Sequence, residues 1–393
     1  MSTDPVESQM VSALELLHYG NRFRGQLFVL ALEDHIKIDS IITDLRVLQA
    51  AQINLVMICT ASKDLASELD VWNQRGTRMR YITDDADHVI QSARSRTLQE
   101  TLRDGIIPVL AISSITDEGT NPVAISSNKD RVWSTTERTL LTIGALVAEQ
   151  LRATKLFVVS NIKCLEIDGK LHSHPDPTEL EGILENSEKL ANTSLNIPPD
   201  KLAFLLETNK RTGIEVALLE GKSGVLFQET FSHRGKGTLF TRQYPHVIRR
   251  GRPSDVTEIL MLMRPYMVAG IILPTSEDEI AKDVDDFFLY TVNGALVGLS
   301  KLVDYAEATE LAKFSTLPRF QGKGRARQLA QLMIEESKKM GKQYVFALSI
   351  EPKMWQFFES MGFREVPRET LPELWKHGYD FSRSSRAFRL DID

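Results

Sequence analysis

The chain has 393 residues, 42% hydrophobic and 25% charged, with 47 Lys and Arg against 53 Asp and Glu for a net charge of −6. That length suits two domains or three. The acidic balance offers no cationic surplus for a nucleic-acid backbone or an anionic membrane, so neither is an expected partner. No apolar run reaches the ~18–20 residues of a membrane span, and the amino terminus lacks a basic-then-apolar signal pattern. The two cysteines, Cys59 and Cys164, cannot build a disulfide framework or a cysteine-based zinc site. The expectation is a cytoplasmic globular protein without a metal. His172-Ser173-His174 comes nearest to a metal pair, but its Pro/Asp-rich surroundings read as a solvated turn.

In chain order, Val6, Met10, Ala13, Leu14 and Leu17 form one stripe of an amphipathic helix. Leu27–Leu32 then reads as a buried strand. The pattern alternates onward: a helix near Ser40–Ala51, an apolar run Ile53–Cys59, a helix over Ala86–Arg103, a strand Ile106–Ile112, a helix Thr135–Arg152 and a strand Lys155–Ser160. Apolar runs without polar alternation, separated by helices, indicate a parallel sheet covered on both faces. Short strands at Glu215–Glu220 and Gly237–Phe240 close a first domain, taken as 1–240.

Thr241–Pro253, with four arginines and two prolines, reads as a linker joined to the first strand of a new unit. In the second domain, 254–393, Asp255 with Glu258 and Ser276 with Glu279 have capping-box spacing for two helices. Phe287–Val292 and Ala295–Leu299 flank Asn293-Gly294, a strong hairpin signal. A long strand runs through Leu311–Thr316. Gly324 opens a helix with Leu329, Leu332, Met333 and Met340 on one face, ended by Gly341. Strand Tyr344–Leu348, a short aromatic helix and Gly362-Phe363 follow.

The most informative stretch is Leu311 to Ala326. A strand ends at Pro318, and a turn rich in glycine and cations starts a helix, so several backbone N–H groups and the positive end of the helix dipole aim at one point. That makes an anion cradle, or a plain structural turn. Gln321-x-x-Gly324-x-Ala326 resembles the pyrophosphate-binding signature of the GCN5-related N-acetyltransferases, and the element order over roughly residues 246–393 is similar to theirs. The resemblance implies that acetyl-CoA is the co-substrate. Its diphosphate would be held by Gln321, Gly322, Lys323, Gly324, Arg325 and Ala326. Its pantetheine arm would lie along Phe314 and Ser315 on a strand that splays from its neighbour.

The family reaction is direct attack of an amine on the thioester, and many members return a proton to the thiolate from a tyrosine. Phe358 stands at that position here and has no proton to give. Glu310-Leu-Ala-Lys313, Ala347-Leu-Ser349, Leu371-Pro-Glu-Leu374 and Arg383-Ser-Ser385-Arg386 are similar to segments of the N-acetylglutamate synthases. That likeness implies Glu310 as base and Ser349 as acid, with Lys313, Arg383 and Ser385 binding the two carboxylates of L-glutamate. Read on their own, Glu310 could be a solvated strand residue, Ser349 a loop-initiating serine and Arg383 part of a solvated strand face. Bacterial members usually carry arginine where Pro274 and Thr275 stand, leaving Arg264 or Arg389 as substitutes, or a different acceptor amine.

Roughly residues 14–240 resemble the amino acid kinase fold, so the implied architecture is α/β throughout: a three-layer α/β/α kinase-like domain followed by an N-acetyltransferase domain. A working kinase has a Lys-x-Gly-Gly turn after the first strand and a His-Gly-Gly-Gly turn after the second. Here Ala31-Leu-Glu33-Asp34 and Cys59-Thr-Ala-Ser62 occupy those places, and a Glu-Asp pair repels phosphate, so no kinase activity is expected. The domain then serves regulation and assembly in a homo-oligomer. The resemblance implies Glu229 and Gly235 as contacts for the effector L-arginine. Without it they read as a helix-surface acid and a helix stop. A non-catalytic arginine sensor is the reading from a different class.

Overall fold

The computed structural model describes residues 16, 19–113, 139–232, 235–241, 246–292, 295–322 and 324–392. The amino-terminal apolar stripe, the Asn293-Gly294 turn and Lys323 lie outside these. Two compact units part at Gln243 and Tyr244. None of the described helices is long and apolar enough to cross a membrane.

The first unit runs β1 (Leu27–Leu32), α1 (Ile42–Ala50), β2 (Asn54–Thr60), α2 (Leu65–Gln74), β3 (Met79–Asp84), α3 (Ala86–Ser92), α4 (Arg96–Arg103), β4 (Ile107–Ile112), α5 (Leu140–Gln150), β5 (Lys155–Ser160), β6 (Leu165–Ile167), β7 (Lys170–His172), α6 (Pro177–Leu184), α7 (Ser187–Asn192), α8 (Pro199–Thr212), β8 (Glu215–Glu220), α9 (Val225–Phe231) and β9 (Thr238–Phe240). The sheet order is β3-β4-β2-β1-β5-β8-β9, parallel except for β9. Strand side chains alternate between faces. In β1, Phe28, Leu30 and Leu32 therefore pack with Leu45, Leu69 and Leu226 of α1, α2 and α9, while Val29 and Ala31 pack with Ile143, Leu202 and Leu98 of α5, α8 and α4. Both faces are covered, which is why the central strands read as unbroken apolar runs.

Several elements differ from expectation. The helix expected over Ala86–Arg103 is two helices, because the Ser95 hydroxyl accepts from Leu98 N and starts a new one. Strand β3 was not foreseen: it is a half-exposed edge strand, and its sequence Met-Arg-Tyr-Ile-Thr-Asp has no continuous apolar run. The His172-Ser173-His174 segment is not a solvated turn. It leaves a two-stranded hairpin, and His174 Nε2 lies 2.9 Å from Thr241 Oγ1.

The second unit runs β10 (His246–Arg250), α10 (Val256–Val268), α11 (Glu277–Lys282), β11 (Phe287–Val292), β12 (Ala295–Asp304), β13 (Ala308–Thr316), α12 (Arg325–Lys339), β14 (Tyr344–Ser349), α13 (Pro352–Ser360), β15 (Arg364–Val366), α14 (Glu373–Gly378) and β16 (Arg386–Asp391), in a sheet of order β10-β11-β12-β13-β14-β16-β15. The stretch expected to be a linker contains β10, which pairs along Phe288–Val292. Asp255 makes no box with Glu258. It takes Arg249 in a two-point ion pair, at 2.6 and 2.8 Å, and accepts from Arg252 N. The Ser276–Glu279 box is present in full. On α12, Leu329 and Met333 are buried but Met340 is exposed, since the helix ends at Lys339 and the chain turns away.

A buried carboxylate fastens α9. Asp44 on α1 is 2% exposed and accepts from Gly224 N at 2.8 Å, Leu226 N at 3.1 Å and Phe227 N at 3.3 Å, filling the start of a helix that has no cap of its own. Burial pushes its pKa up while these N–H groups pull it down. Asp44→Ala leaves those donors without a partner, and it is expected to cost about 2–4 kcal/mol, read as a lower urea midpoint at unchanged slope.

Candidate active site in the C-terminal unit

Strand β13 is parallel to β14, but the pairing covers only Ala308–Glu310 against Tyr344–Phe346. Past Glu310 the two strands part, so the backbone of residues 311–316 has no partner in β14. On its other side β13 pairs with β12, with a register shift between Leu299 and Lys301. The extra residue sits near Lys313, whose φ of +56° lies in the left-handed region. A lysine there costs about 1–2 kcal/mol, and a bulge of this kind re-aims its side chain. Lys313 Nζ reaches Thr275 Oγ1 at 2.5 Å.

The wedge opens a cavity of about 300 Å³ whose lining includes Glu310, Lys313, Phe314, Ser349, Arg383 and Ser385. The five residues expected to act on or bind the acceptor thus share one wall system with Phe314. Glu310 is not a solvated strand residue: burial pushes its carboxyl up to about 7, against the pull of Tyr305, Lys313 and Lys301. Burial, with Lys301 nearby, lowers Lys313. Ser349 does initiate a loop, since its hydroxyl oxygen accepts from Glu351 N at 3.0 Å, yet it also lines the cavity. Arg383 donates to the carbonyls of Gly270 and Ile271, and Ser385 shares a hydrogen bond with Tyr379. Phe358 is core, packed between Phe314, Phe357, Phe363 and Phe388.

Neither expected substitute for the missing arginine lines the cavity. Arg389 stacks on Tyr344 and pairs with Asp391, and Arg264 is absent from the lining. The further cation that does line it is Lys301, held 2.6 Å from Asp283. Sequence reasoning missed Lys301 and Tyr266, which meet partners 18 and 50 residues away, and Tyr305, which a tight turn folds back onto Glu310. Tyr266 on α10 spans the end of β13: its hydroxyl hydrogen-bonds to Thr316 O, accepts from Thr316 N at 3.2 Å and accepts from Gln321 Nε2 at 2.9 Å.

At the start of α12, Gly322 and Gly324 have φ of +76° and +73°, and Gly324 is the helix cap with no side-chain bond. No neighbour crowds either glycine, so what it supplies is the backbone conformation. Gln328 N finds Gly324 O at 3.1 Å, which sets the first helical bond and leaves the N–H groups of Arg325, Ala326 and Arg327 without intrahelical acceptors. Arg325 donates to Phe320 O and Ser315 is buried, donating to Lys313 O.

In the first unit, Glu229 is 4% exposed, not a helix-surface acid, and its Oε2 accepts from Lys236 N at 2.7 Å and Gly237 N at 3.1 Å. Gly235 begins that turn with φ of +58°. At the C-terminal ends of β1 and β2, Glu33 pairs with Lys201 and Asp34 accepts from Thr60.

Glu310 makes the site unfavourable for stability at high pH. Its folded-state pKa is raised, so its contribution is favourable at pH 4 and becomes a penalty as pH rises through about 7. Glu310→Gln is therefore expected to stabilise the protein by about 1–3 kcal/mol at pH 8 and to change little at pH 4, as thermal melts at the two pH values would read.

Residues 273–377 match the family described as Acetyltransferase (GNAT) domain. The amino-acid acetyltransferase of Edwardsiella ictaluri is 27% identical over 278 residues, 69% of this chain and 61% of that protein. That of Escherichia coli K12 is 26% identical over 316 residues, 79% of this chain and 68% of that protein. The chain thus aligns with about three-fifths to two-thirds of the length of these curated relatives. The crystal structure of N-acetylglutamate synthase from Neisseria gonorrhoeae complexed with coenzyme A and L-arginine shares the fold, with a TM-score of 0.55 at 19% identity, covering 96% of this chain and 98% of that one. The second unit therefore carries an acetyltransferase (GNAT) domain, and the chain as a whole is similar to amino-acid acetyltransferases over most of its length.

Proposed function

We propose that this protein moves the acetyl group of acetyl-CoA to the α-amine of L-glutamate. The observation that carries the proposal is the wedge between β13 and β14: an unpaired strand edge, with Glu310, Lys313, Ser349, Arg383 and Ser385 around one cavity beside it. An extended thioester arm can pair with such an edge as another strand would. The left-handed glycines at the start of α12 present main-chain amides to a diphosphate. The residues present fit coenzyme A, and the amino-acid acetyltransferases named above point to an amino acid as acceptor.

Within the cavity Glu310, its carboxyl at about 7, takes a proton from the acceptor ammonium, directly or through water. The freed nitrogen attacks the thioester carbonyl, and the oxyanion forms in the field of Lys313. As the carbon–sulfur bond breaks, the nitrogen gives up its second proton and Ser349 relays a proton to the thiolate, so the serine ends as a hydroxyl again. Lys313 and Arg383 hold glutamate's carboxylates. Both now rest on oxygens of residues 270–275, which a carboxylate would replace. Thr275, standing where bacterial relatives carry arginine, favours a second reading in which a different amino acid is acetylated. The first unit binds L-arginine through the α9 segment and lowers activity. It lacks kinase chemistry, because Lys201 and Thr60 tie up the acids that replace the phosphate-binding turns.

The test is thiol release from acetyl-CoA with each amino acid in turn, repeated with L-arginine. Release with L-glutamate, reduced by arginine, is the expected result. Release with another amine alone establishes the second reading, and none at all leaves an arginine sensor. Arg383→Ala is expected to lose about 2–4 kcal/mol of transition-state binding, roughly 30- to 1000-fold in kcat/KM for glutamate, with coenzyme A affinity unchanged.

A further inference from the structure

We infer that Tyr305 is the positioning residue for Glu310: its hydroxyl fixes one carboxylate oxygen and turns the other toward the acceptor. The inference rests on the reading of Glu310 as the base. Tyr305 sits in the turn between β12 and β13, and its hydroxyl donates to Glu310 Oε2 at 3.3 Å. Both residues line the cavity.

The turn that carries Tyr305 is held from several sides. Tyr305 N donates to Ala308 O at 2.9 Å, and its ring packs 5.6 Å from that of Phe346, the residue opposite Glu310 in β14. Lys342, following α12, is almost wholly buried. It reaches Asp304 Oδ1 at 2.5 Å, Tyr305 O at 2.7 Å and Ala306 O at 3.3 Å. Next to it, Gln343 N donates to Glu307 O. An ordinary strand connection does not need an ammonium clasped to consecutive carbonyls. The effect is to hold a phenol still against a carboxylate that sits where the sheet splits.

Tyr305 is a donor and not itself the base. Burial and the neighbouring Glu310 push its hydroxyl further above the ordinary tyrosine value, so it keeps its proton. The groups facing Glu310 are Lys301 from β12, Lys313 from β13 and Tyr305 from the turn, while β14 offers Phe346. Tyr379 and Arg383 line the same cavity farther round. Of those acting on Glu310, Tyr305 is the one that hydrogen-bonds it, and the bond favours the ionised form. In the reaction, an ammonium N–H bond breaks, the electron pair stays on nitrogen, and the proton goes to Oε1, since Oε2 is occupied by the phenol.

Tyr305→Phe removes the hydroxyl and keeps the ring contacts, and a melting curve checks that the fold is intact. Measured by thiol release, kcat is expected to fall about tenfold while the affinity for coenzyme A is unchanged. The acidic limb of the kcat/KM profile is expected to move to higher pH, because the carboxylate has lost a donor to its charged form. A purely structural role for Tyr305 would not move that limb. A profile that superimposes on the wild type, with Glu310→Gln inactive, overturns the role of Tyr305 and leaves the base in place. Glu310→Gln with wild-type activity overturns the reading of the base itself, and this inference with it.

Discussion

The C-terminal unit depends on where a parallel strand pair stops being a pair. Ala308–Glu310 hold β13 to β14, and from Leu311 onward the main chain of β13 has no neighbour on that side. Unpaired backbone groups inside a protein are costly unless something satisfies them, so a split of this kind persists only when the flanking structure holds it open. Three features do so here. The bulge at Lys313 turns the strand away from β14, the Tyr266 hydroxyl grips the N–H and carbonyl of Thr316, and the phenylalanines around Phe358 fill the space beneath. The opening is thus a property of the sheet and does not wait for a ligand.

Charge follows from the same geometry. The split places one carboxylate, Glu310, and two ammonium groups, Lys301 and Lys313, around one cavity. Burial disfavours the ionised forms of Glu310 and Lys313, and the pull of the two ammonium groups on Glu310 offsets part of its cost. Asp283 anchors Lys301 and Thr275 anchors Lys313, so the two cations are kept apart. An acid with a pKa close to neutrality and an amine with a lowered one are what proton transfer at neutral pH requires, and they are also what makes a fold less stable.

Much of this was legible in the sequence because it is written locally. Gly322 and Gly324 mark the turn that opens α12, and its left-handed φ values are ones glycine adopts without strain. Apolar runs such as Leu27–Leu32 and Lys155–Ser160 gave strands with their observed bounds, since a sheet covered on both faces needs no polar alternation. Lys313 shows the limit: nothing in its neighbours announces a bulge, because the conformation is imposed by β12. Tyr266 and Gln321 lie 55 residues apart, and their contact follows from packing alone. The burial of Glu229 against the Lys236–Gly237 turn was not legible, because it depends on α9 being fastened by Asp44, 180 residues upstream of Gly224.

The first unit argues the same point from the opposite direction. A doubly covered parallel sheet is stable through its apolar faces, and the loops at the strand ends contribute little to that stability. Those loops can therefore vary without loss of the fold, provided they leave no bare charge. Glu33 and Asp34 meet that condition by pairing with Lys201 and Thr60. Gly144 of α5 still packs directly over Ala31, so close that an added Cβ would meet the Ala31 Cβ at 2.8 Å. A lysine at Ala31 would have to find room beneath that helix. The packing of α5 over β1 thus holds a small residue at position 31, while the opposite face of the sheet carries α9.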